Sequence, residues 1–486
     1  MHLTAKGDMK RSRSFERRTK IVCTIGPATG SAAAIERLMK AGMNVARLNM
    51  SYGTFREHSR YIRIIRRLSG RLAIRVAILI DLPGPKYRTG KLKDGQARLK
   101  KGAHVFLTIR HVRGDDGLIP VNLPTLAEDI RGGDTVLIDD GAMRLRVLES
   151  QGTEVRCKVV AGGILTEGKG LVVPGMRASG RFVTDALRED LLFAIRQQPD
   201  YLAVSFVSSA EDVGAVRSIL CENGADIPII AKIERGVAMN GFDSILATSE
   251  GIMVARGDLG LDIPLERVPL VQKEIIKKCN QAGKPVITAT QMMESMVNAS
   301  QPTRAEVTDV ANAIFDGSDA VMLSAETAVG EYPVQAVKMM SKIARRTEKV
   351  LPYEQMLGER GRWLEQKTDE LISYSACYTA QSLGAVVLVA FTHSGSTAGR
   401  VSKYRPRMPI LAITPDAAVV GRLMLRWGVY PFQVAEASSV DELFSTAAKL
   451  CKELGLARRG DLIVITGGIP VGVAGSTNLL KVEQVQ

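Results

Sequence analysis

The chain has 486 residues, 45% hydrophobic and 24% charged, a composition that suits two to four globular domains. Its six cysteines are scattered without a CxxC pair, and no apolar run nears the roughly 18 residues of a membrane helix, which argues against a disulfide scaffold, a cysteine zinc site and a spanning segment. A net charge of +14 points to anionic partners, but aromatics at 5% leave few platforms for stacked bases, so small anionic substrates are expected rather than nucleic acid.

Residues 1–17 read as a basic, solvated tail, with Lys6, Lys10, Arg11, Arg13 and Arg17 against Asp8 and Glu16. No apolar segment follows it, so no secretory signal is visible and a reducing, cytoplasmic setting is expected. From Thr19 onward, short β-branched runs alternate with amphipathic helical segments, the rhythm of βα units and a parallel sheet. Strands are expected at 19–25, 43–48 and 76–80, with helices at 31–40 and 55–68 between them. The rhythm breaks over 88–177. Short runs there, at 104–109, 135–138, 144–148 and 155–160, are separated by turns such as Arg131-Gly-Gly-Asp134 and Asp139-Asp-Gly141. They predict a small all-β domain inserted into a βα loop, placed to act as a lid. The alternation resumes over 178–350, with strands at 201–207, 227–233, 251–255, 285–289 and 320–323, each followed by a helix. Eight such units, the first part at 18–87, make a closed (β/α)8 barrel. Residues 351–368 read as an irregular linker. A C-terminal α/β domain fills 351–486, with strands at 385–391, 409–413, 429–432 and 461–465.

Polar residues share one phase at the ends of the barrel strands. They are Arg47, Asn49 and Ser51 on the second, Asp81 on the third and Ser205 on the fourth. Lys232 and Glu234 lie on the fifth, Arg256 and Asp258 after the sixth, Thr290 after the seventh, and Ser324 and Glu326 after the eighth. In this fold such ends open onto one mouth, where active sites form. All five histidines fall elsewhere, so a histidine base is not expected. Cations, carboxylates and hydroxyls remain. Two carboxylates can hold a divalent cation, and a nearby Lys can stabilise anionic charge. That inventory fits phosphoryl transfer and equally fits stabilisation of an enolate. No GxxxxGK[ST], HRD or DFG motif is present. In the C-terminal domain, Thr392-His-Ser-Gly-Ser-Thr397 opens a helix; it is either a phosphate cradle or a capped helix start.

Several stretches strongly resemble the pyruvate kinase family. They are Arg18-Thr-Lys-Ile-Val-Cys-Thr-Ile-Gly-Pro-Ala28, Asn44-Val-Ala-Arg-Leu-Asn49, Ala231-Lys-Ile-Glu234, Met253-Val-Ala-Arg-Gly-Asp-Leu-Gly260, Thr288-Ala-Thr-Gln-Met-Met-Glu-Ser295 and Pro302-Thr-Arg-Ala-Glu306. The resemblance runs from about residue 17 to the C-terminus and is densest in the barrel. It implies an α/β fold: a TIM barrel, an inserted small β-barrel lid and a C-terminal α/β regulatory domain. It also implies phosphoryl transfer from phosphoenolpyruvate to ADP, giving pyruvate and ATP in the last step of glycolysis. On the family pattern Lys232 stabilises the transferring group and the enolate, while Glu234 and Asp258 hold Mg²⁺, for which Mn²⁺ may substitute. Arg47 contacts the substrate phosphoryl group, and the backbone at Arg256-Gly257 receives the substrate carboxylate. Thr290 lies where the enolate carbon is protonated, with Ser324 and Glu326 behind it. Arg88, Lys169 and Asn49 fall in the nucleotide region. A homotetramer, without nucleic-acid or membrane partners, is implied.

Three departures from the family pattern carry their own expectations. Many members bind K⁺ near the equivalents of Asn49, Ser51 and Asp81, with Thr after that Asp and Glu after Gly-Pro. Here the stretch is Asp81-Leu-Pro-Gly-Pro-Lys86, so the Lys86 ammonium is expected to supply the charge and K⁺ is expected to be dispensable. Tyr52 stands where His is common. The run from Thr466 to Asn478 departs from the fructose-1,6-bisphosphate pattern and looks like the bacterial branch that answers to sugar monophosphates or AMP, with Thr392, Ser394, Ser396 and Thr397 holding an effector phosphate.

Overall fold

The computed structural model describes residues 15–84, 87–176, 179–470 and 477–486. Lys86, most of the basic tail, the expected lid boundary at 177 and the middle of the 466–478 run lie outside the described residues.

Eight strands close into a parallel barrel. They are β1 (Lys20–Thr24), β2 (Val45–Asn49), β3 (Ala77–Leu82) and, after an insertion, β13 (Tyr201–Val204), β14 (Ile229–Ile233), β15 (Gly251–Ala255), β16 (Val286–Ala289) and β17 (Ala320–Leu323). β1 pairs with both β2 and β17, which closes the ring. The strands are buried along almost their whole length because both faces are covered, so they read as largely apolar runs broken by a few charged residues toward their ends. Helix starts follow local chemistry. Thr54 caps the helix Phe55–Leu72 with Glu57 closing a reciprocal capping box, and Thr303 with Glu306 does the same for Arg304–Asp316. The expected helix near residue 240 opens instead as a 3₁₀ turn, Gly236–Gly241, before Phe242–Thr248.

The insertion folds as β4 (Tyr87–Arg88), β5 (Gln96–Leu99), β6 (His104–Thr108), β7 (Leu118–Pro120), β8 (Thr135–Ile138), β9 (Met143–Gln151), β10 (Glu154–Ala161), β11 (Gly163–Thr166) and β12 (Gly170–Val172). Seven of these form one sheet, and β5 pairs with β11. Alternate residues such as Leu145, Val147, Val155, Cys157 and Val159 point into a core of their own. The insertion reaches the barrel mouth. Gly175 N–H donates to Asp262 Oδ1 at 3.2 Å, Arg235 Nε lies 3.6 Å from the same carboxylate, and Arg235 Nη2 donates to Val173 O at 3.3 Å.

The C-terminal sheet runs β18 (Val387–Phe391), β19 (Ile410–Thr414), β20 (Val429–Gln433), β21 (Leu462–Gly467) and β22 (Leu479–Gln484), in the order 20-19-18-21-22. β22 is antiparallel to β21 and forms an edge that the sequence pattern does not announce. The stretch expected as an irregular linker contains the helix Tyr353–Gly361. Its buried face is only Tyr353, Leu357 and Arg360, and the polar residues between them mask the period. This domain closes the barrel floor. Met424 and Leu425 insert among Val22, Val45, Leu79, Tyr201 and Met322 in the barrel interior. Leu425 is 0% exposed, which contributes roughly 2–3 kcal/mol.

Candidate functional site at the barrel mouth

The β-strand period sets the centre of the mouth. On β14 the side chains of Lys232 and Glu234 are two residues apart and share a face. Lys232 is 7% exposed, and its ammonium donates to Ser205 Oγ at 2.6 Å, lies 2.9 Å from Glu234 Oε1 and 3.1 Å from Asp81 Oδ1. Arg47, from β2, places Nε 2.7 Å from Asp81 Oδ2 and donates from Nη1 to Thr24 Oγ1 at 2.9 Å. Three strands thus feed one charge network, and the ends of two more, β1 and β13, add the hydroxyls of Thr24 and Ser205. Burial alone would lower the Lys232 ammonium, but Asp81 and Glu234 outweigh it and hold the pKa above its ordinary value. Burial would likewise raise Asp81, but Lys232 and Arg47 hold it low. Glu234 differs: burial pushes it up, Lys232 only partly offsets this, and the Asp258 carboxylate pushes in the same direction as burial.

Glu234 and Asp258 are thus close enough to raise the cost of both carrying charge. Among the described residues no group of three or more His, Cys, Asp or Glu is placed to hold a metal ion. Two carboxylates without further protein donors suit a hard divalent cation that takes its remaining oxygens from water and substrate. Glu234 is itself aimed by a group outside the expected set: Phe206 N–H donates to Glu234 Oε2 at 2.6 Å. Phe206 has φ of +58°, a left-handed conformation that turns the chain sharply after β13. Gly84 packs so close that a Cβ there would sit 2.5 Å from Ser205 O. The glycine was visible in the sequence; its neighbour was not.

On the opposite wall Thr290 follows β16 with φ of +64°, rare for a β-branched residue and of the strained kind found at functional sites. Its Oγ1 donates to Ala289 O at 2.6 Å and accepts from Gly257 N–H at 2.8 Å. Gly257 lies in the short helix Arg256–Asp262. The Arg256 side chain turns away from this contact: it donates to Thr290 O at 2.7 Å and Asp309 Oδ1 at 2.8 Å, bracing β16 against the helix Arg304–Asp316. Glu326, 2% exposed, accepts from Ser324 N–H at 2.7 Å and Met293 N–H at 3.1 Å, and burial raises its carboxyl. Ser324 Oγ is buried with no partner among the described residues, a polar atom left for a ligand or water.

Asn49 and Asp81 are register partners on β2 and β3, and Ser51 N–H donates to Asn49 Oδ1 at 3.1 Å. The three expected monovalent-ion residues are thus adjacent. Arg88 and Lys169 meet at the β4–β12 ladder, where Arg88 Nη1 donates to Gly168 O at 3.0 Å and Lys169 Nζ pairs with Asp139 at 2.8 Å. In the C-terminal domain Thr392 and Thr397 are buried, Ser394 Oγ donates to Ser396 Oγ at 3.2 Å, and Thr397 Oγ1 lies 2.8 Å from Thr477 Oγ1. Gly395, at φ of +88°, starts the helix Ser396–Lys403. Thr392 Oγ1 is buried with no hydrogen-bond partner among the described residues.

The family model for the pyruvate kinase barrel domain matches residues 16–337, and that for the pyruvate kinase alpha/beta domain matches 370–483. The chain is 47% identical to pyruvate kinase of Geobacillus stearothermophilus over 97% of this chain and 81% of that protein. It is 42% identical to that of Clostridium acetobutylicum over 96% of this chain and 100% of the relative. A crystal structure of a pyruvate kinase from Cryptosporidium parvum superposes with a TM-score of 0.93 at 36% identity, covering 100% of both chains. The full-length likeness, together with the charge network at the barrel mouth, places the chain in the pyruvate kinase family.

Proposed function

We propose that the mouth transfers the phosphoryl group of phosphoenolpyruvate to ADP, yielding pyruvate and ATP. The single observation that carries this reading is the Lys232 ammonium, buried at the mouth and held charged by Asp81 and Glu234. Lys232 stabilises charge on the transferring group and on the enolate, and Arg47 contacts the phosphoryl oxygens. Glu234 and Asp258 would hold Mg²⁺, or Mn²⁺ in its place. Bound there, the divalent ion supplies neutralisation of substrate carboxylate and phosphate charge. The substrate carboxylate takes the Gly257 N–H that Thr290 Oγ1 now accepts. That releases Thr290 beside the position where the enolate carbon gains its proton, with Ser324 and Glu326 behind it. Arg88, Lys169 and Asn49 serve the nucleotide phosphates, Lys169 exchanging Asp139 for them as the insertion closes.

The same reading extends to the ions and effectors. Asp81 already has Arg47 and Lys232 as partners, which supports a monovalent-ion region at Asn49, Ser51 and Asp81 that works without K⁺, with Lys86 supplying further charge. Thr392, Ser394, Ser396 and Thr397 hold the phosphate of a sugar monophosphate or AMP, an activator. The assembly is a cytoplasmic homotetramer, with domains at 18–87 plus 178–350, 88–177 and 351–486. A coupled assay with phosphoenolpyruvate and ADP tests the activity: no pyruvate formation at saturating substrate rejects it. Replacing K⁺ by a tetraalkylammonium salt should leave the rate intact; a large loss rejects K⁺ independence alone. Thr397→Val should abolish activation and spare saturated turnover.

A further inference from the structure

The barrel floor carries a second concentration of charge. Between the C-terminal end of the helix Pro333–Glu348, the segment entering β1 and the start of the helix Tyr353–Gly361 lies a cavity of about 640 Å³. Arg18, Lys342, Arg345, Arg346, Lys349 and Arg407 line it, against two carboxylates, Glu16 and Glu348. Both carboxylates are engaged. Glu348, 2% exposed, accepts the backbone N–H groups of Arg18 and Thr19 at 2.8 and 2.7 Å and lies 3.7 Å from Arg18 Nη1. Glu16 pairs with Arg345 at 3.3 Å. Lys342, Arg346, Lys349 and Arg407 have no ion pair among the described residues. Arg18 Nε is buried without a hydrogen-bond partner among the described residues.

A helix C-terminus carries about half a negative charge, which accounts for one of these cations and not for four. Like charges around one concave surface repel each other unless a counter-ion joins them. We infer that this cavity is a binding site for a small ligand bearing two phosphate groups, held between the last barrel helix and the C-terminal domain. Two phosphates carry roughly three to four negative charges at neutral pH, matching the unpaired cations. Guanidinium groups such as Arg18, Arg346 and Arg407 can grip phosphate oxygens with two donors each. The volume lies within the range of small-molecule sites. The cavity shares no residue with the mouth or with Thr392–Thr397. Its ligand would act on the seam between domains: Arg18 O accepts Gly428 N–H at 2.9 Å, and the Arg18 guanidinium donates to Arg407 O. An anion on Arg18 and Arg407 would therefore clamp the entry to β1 against the C-terminal sheet.

The test is calorimetric titration of the full-length protein with inorganic pyrophosphate, without divalent metal. Wild type, Arg346→Gln/Lys349→Gln and Thr397→Val are compared. Any event at the mouth is common to all three and subtracts out. Arg346 and Lys349 are exposed, so the double variant is expected to fold, and thermal unfolding checks this. The double variant should bind pyrophosphate roughly tenfold or more weakly than wild type, while Thr397→Val binds as wild type does. Orthophosphate should bind wild type more weakly than pyrophosphate by a similar factor. Equal affinity in wild type and the double variant overturns the site, as does binding lost in Thr397→Val and kept in the double variant. A cavity that takes single-stranded oligonucleotide but not pyrophosphate also overturns it.

Discussion

The two ends of the barrel use the same side chains with opposite charge balance. At the mouth, Arg47 and Lys232 face Asp81 and Glu234, and Glu234 is held above its ordinary value by burial, with the Asp258 carboxylate adding to it against the pull of Lys232. At the floor, the cations outnumber the carboxylates and lean on backbone carbonyls. Lys20 Nζ donates to Val429 O at 2.5 Å beneath the Tyr430 ring, and Arg405 donates to Gly317 O at 2.7 Å as well as pairing with Asp319 at 2.8 Å. Arg426 and Arg360 donate to Gly283 O and Lys403 O. Carbonyl dipoles hold a cation without neutralising it. The floor therefore docks a domain and stays positive, whereas the mouth sets carboxylates against its cations, donors that suit a divalent cation. A buried ion pair says little by itself; the surplus left over says which kind of partner the site lacks.

The largest test removes the cation at the centre of the mouth. Lys232→Met should lower kcat by about 10³ or more, because positive charge aimed at the transferring group is lost. A loss under tenfold in steady-state kinetics would move the chemistry elsewhere. The matching break at the floor is Arg405→Ala, which strands Asp319 in the seam. It should cost about 3–5 kcal/mol in denaturant unfolding while kcat per folded molecule changes little. If kcat falls as far as in Lys232→Met, the two ends are not separable in function.

Smaller effects sharpen the contrast. Glu234→Gln should weaken divalent-ion binding by about 10- to 100-fold in titrations followed by calorimetry. Because its carboxyl is raised, apparent metal affinity in wild type should fall as pH drops through that raised value, and the variant should lose this dependence. Lys20 gives the smallest and most diagnostic signal. Burial, with Arg17 adding to it, lowers its ammonium to about 7, against an ordinary value of 10.5. The folded state gives up that proton near pH 7 and the unfolded chain only near 10.5, so wild-type stability relative to Lys20→Met should rise between pH 7 and 9. The rise is on the order of 1–2 kcal/mol, since attraction to the Tyr430 ring works against proton loss. A flat difference across that range would mean that Lys20 titrates outside it.

Much of the mouth was legible in the chain. Lys232 and Glu234 stand two apart on an apolar run, and Arg47, Asp81, Thr290 and Glu326 end or follow others like it. A parallel barrel turns that shared phase into one site. The Phe206 N–H was not legible, because a backbone donor has no side-chain signature. Nor was the work of the Arg256 guanidinium legible, because its partners, Thr290 O and Asp309, lie on elements far along the chain.

Local pattern was sufficient for the barrel, its insertion and the C-terminal α/β domain, because strand and helix periods record which faces are buried. It also sufficed for the residue types at the mouth. Tertiary structure alone decided the plug of Met424 and Leu425, the antiparallel edge β22 and the helix Tyr353–Gly361. It alone set the charge balance at each end. These depend on contacts between residues far apart in the chain, and charge acts through distance in space rather than position in sequence.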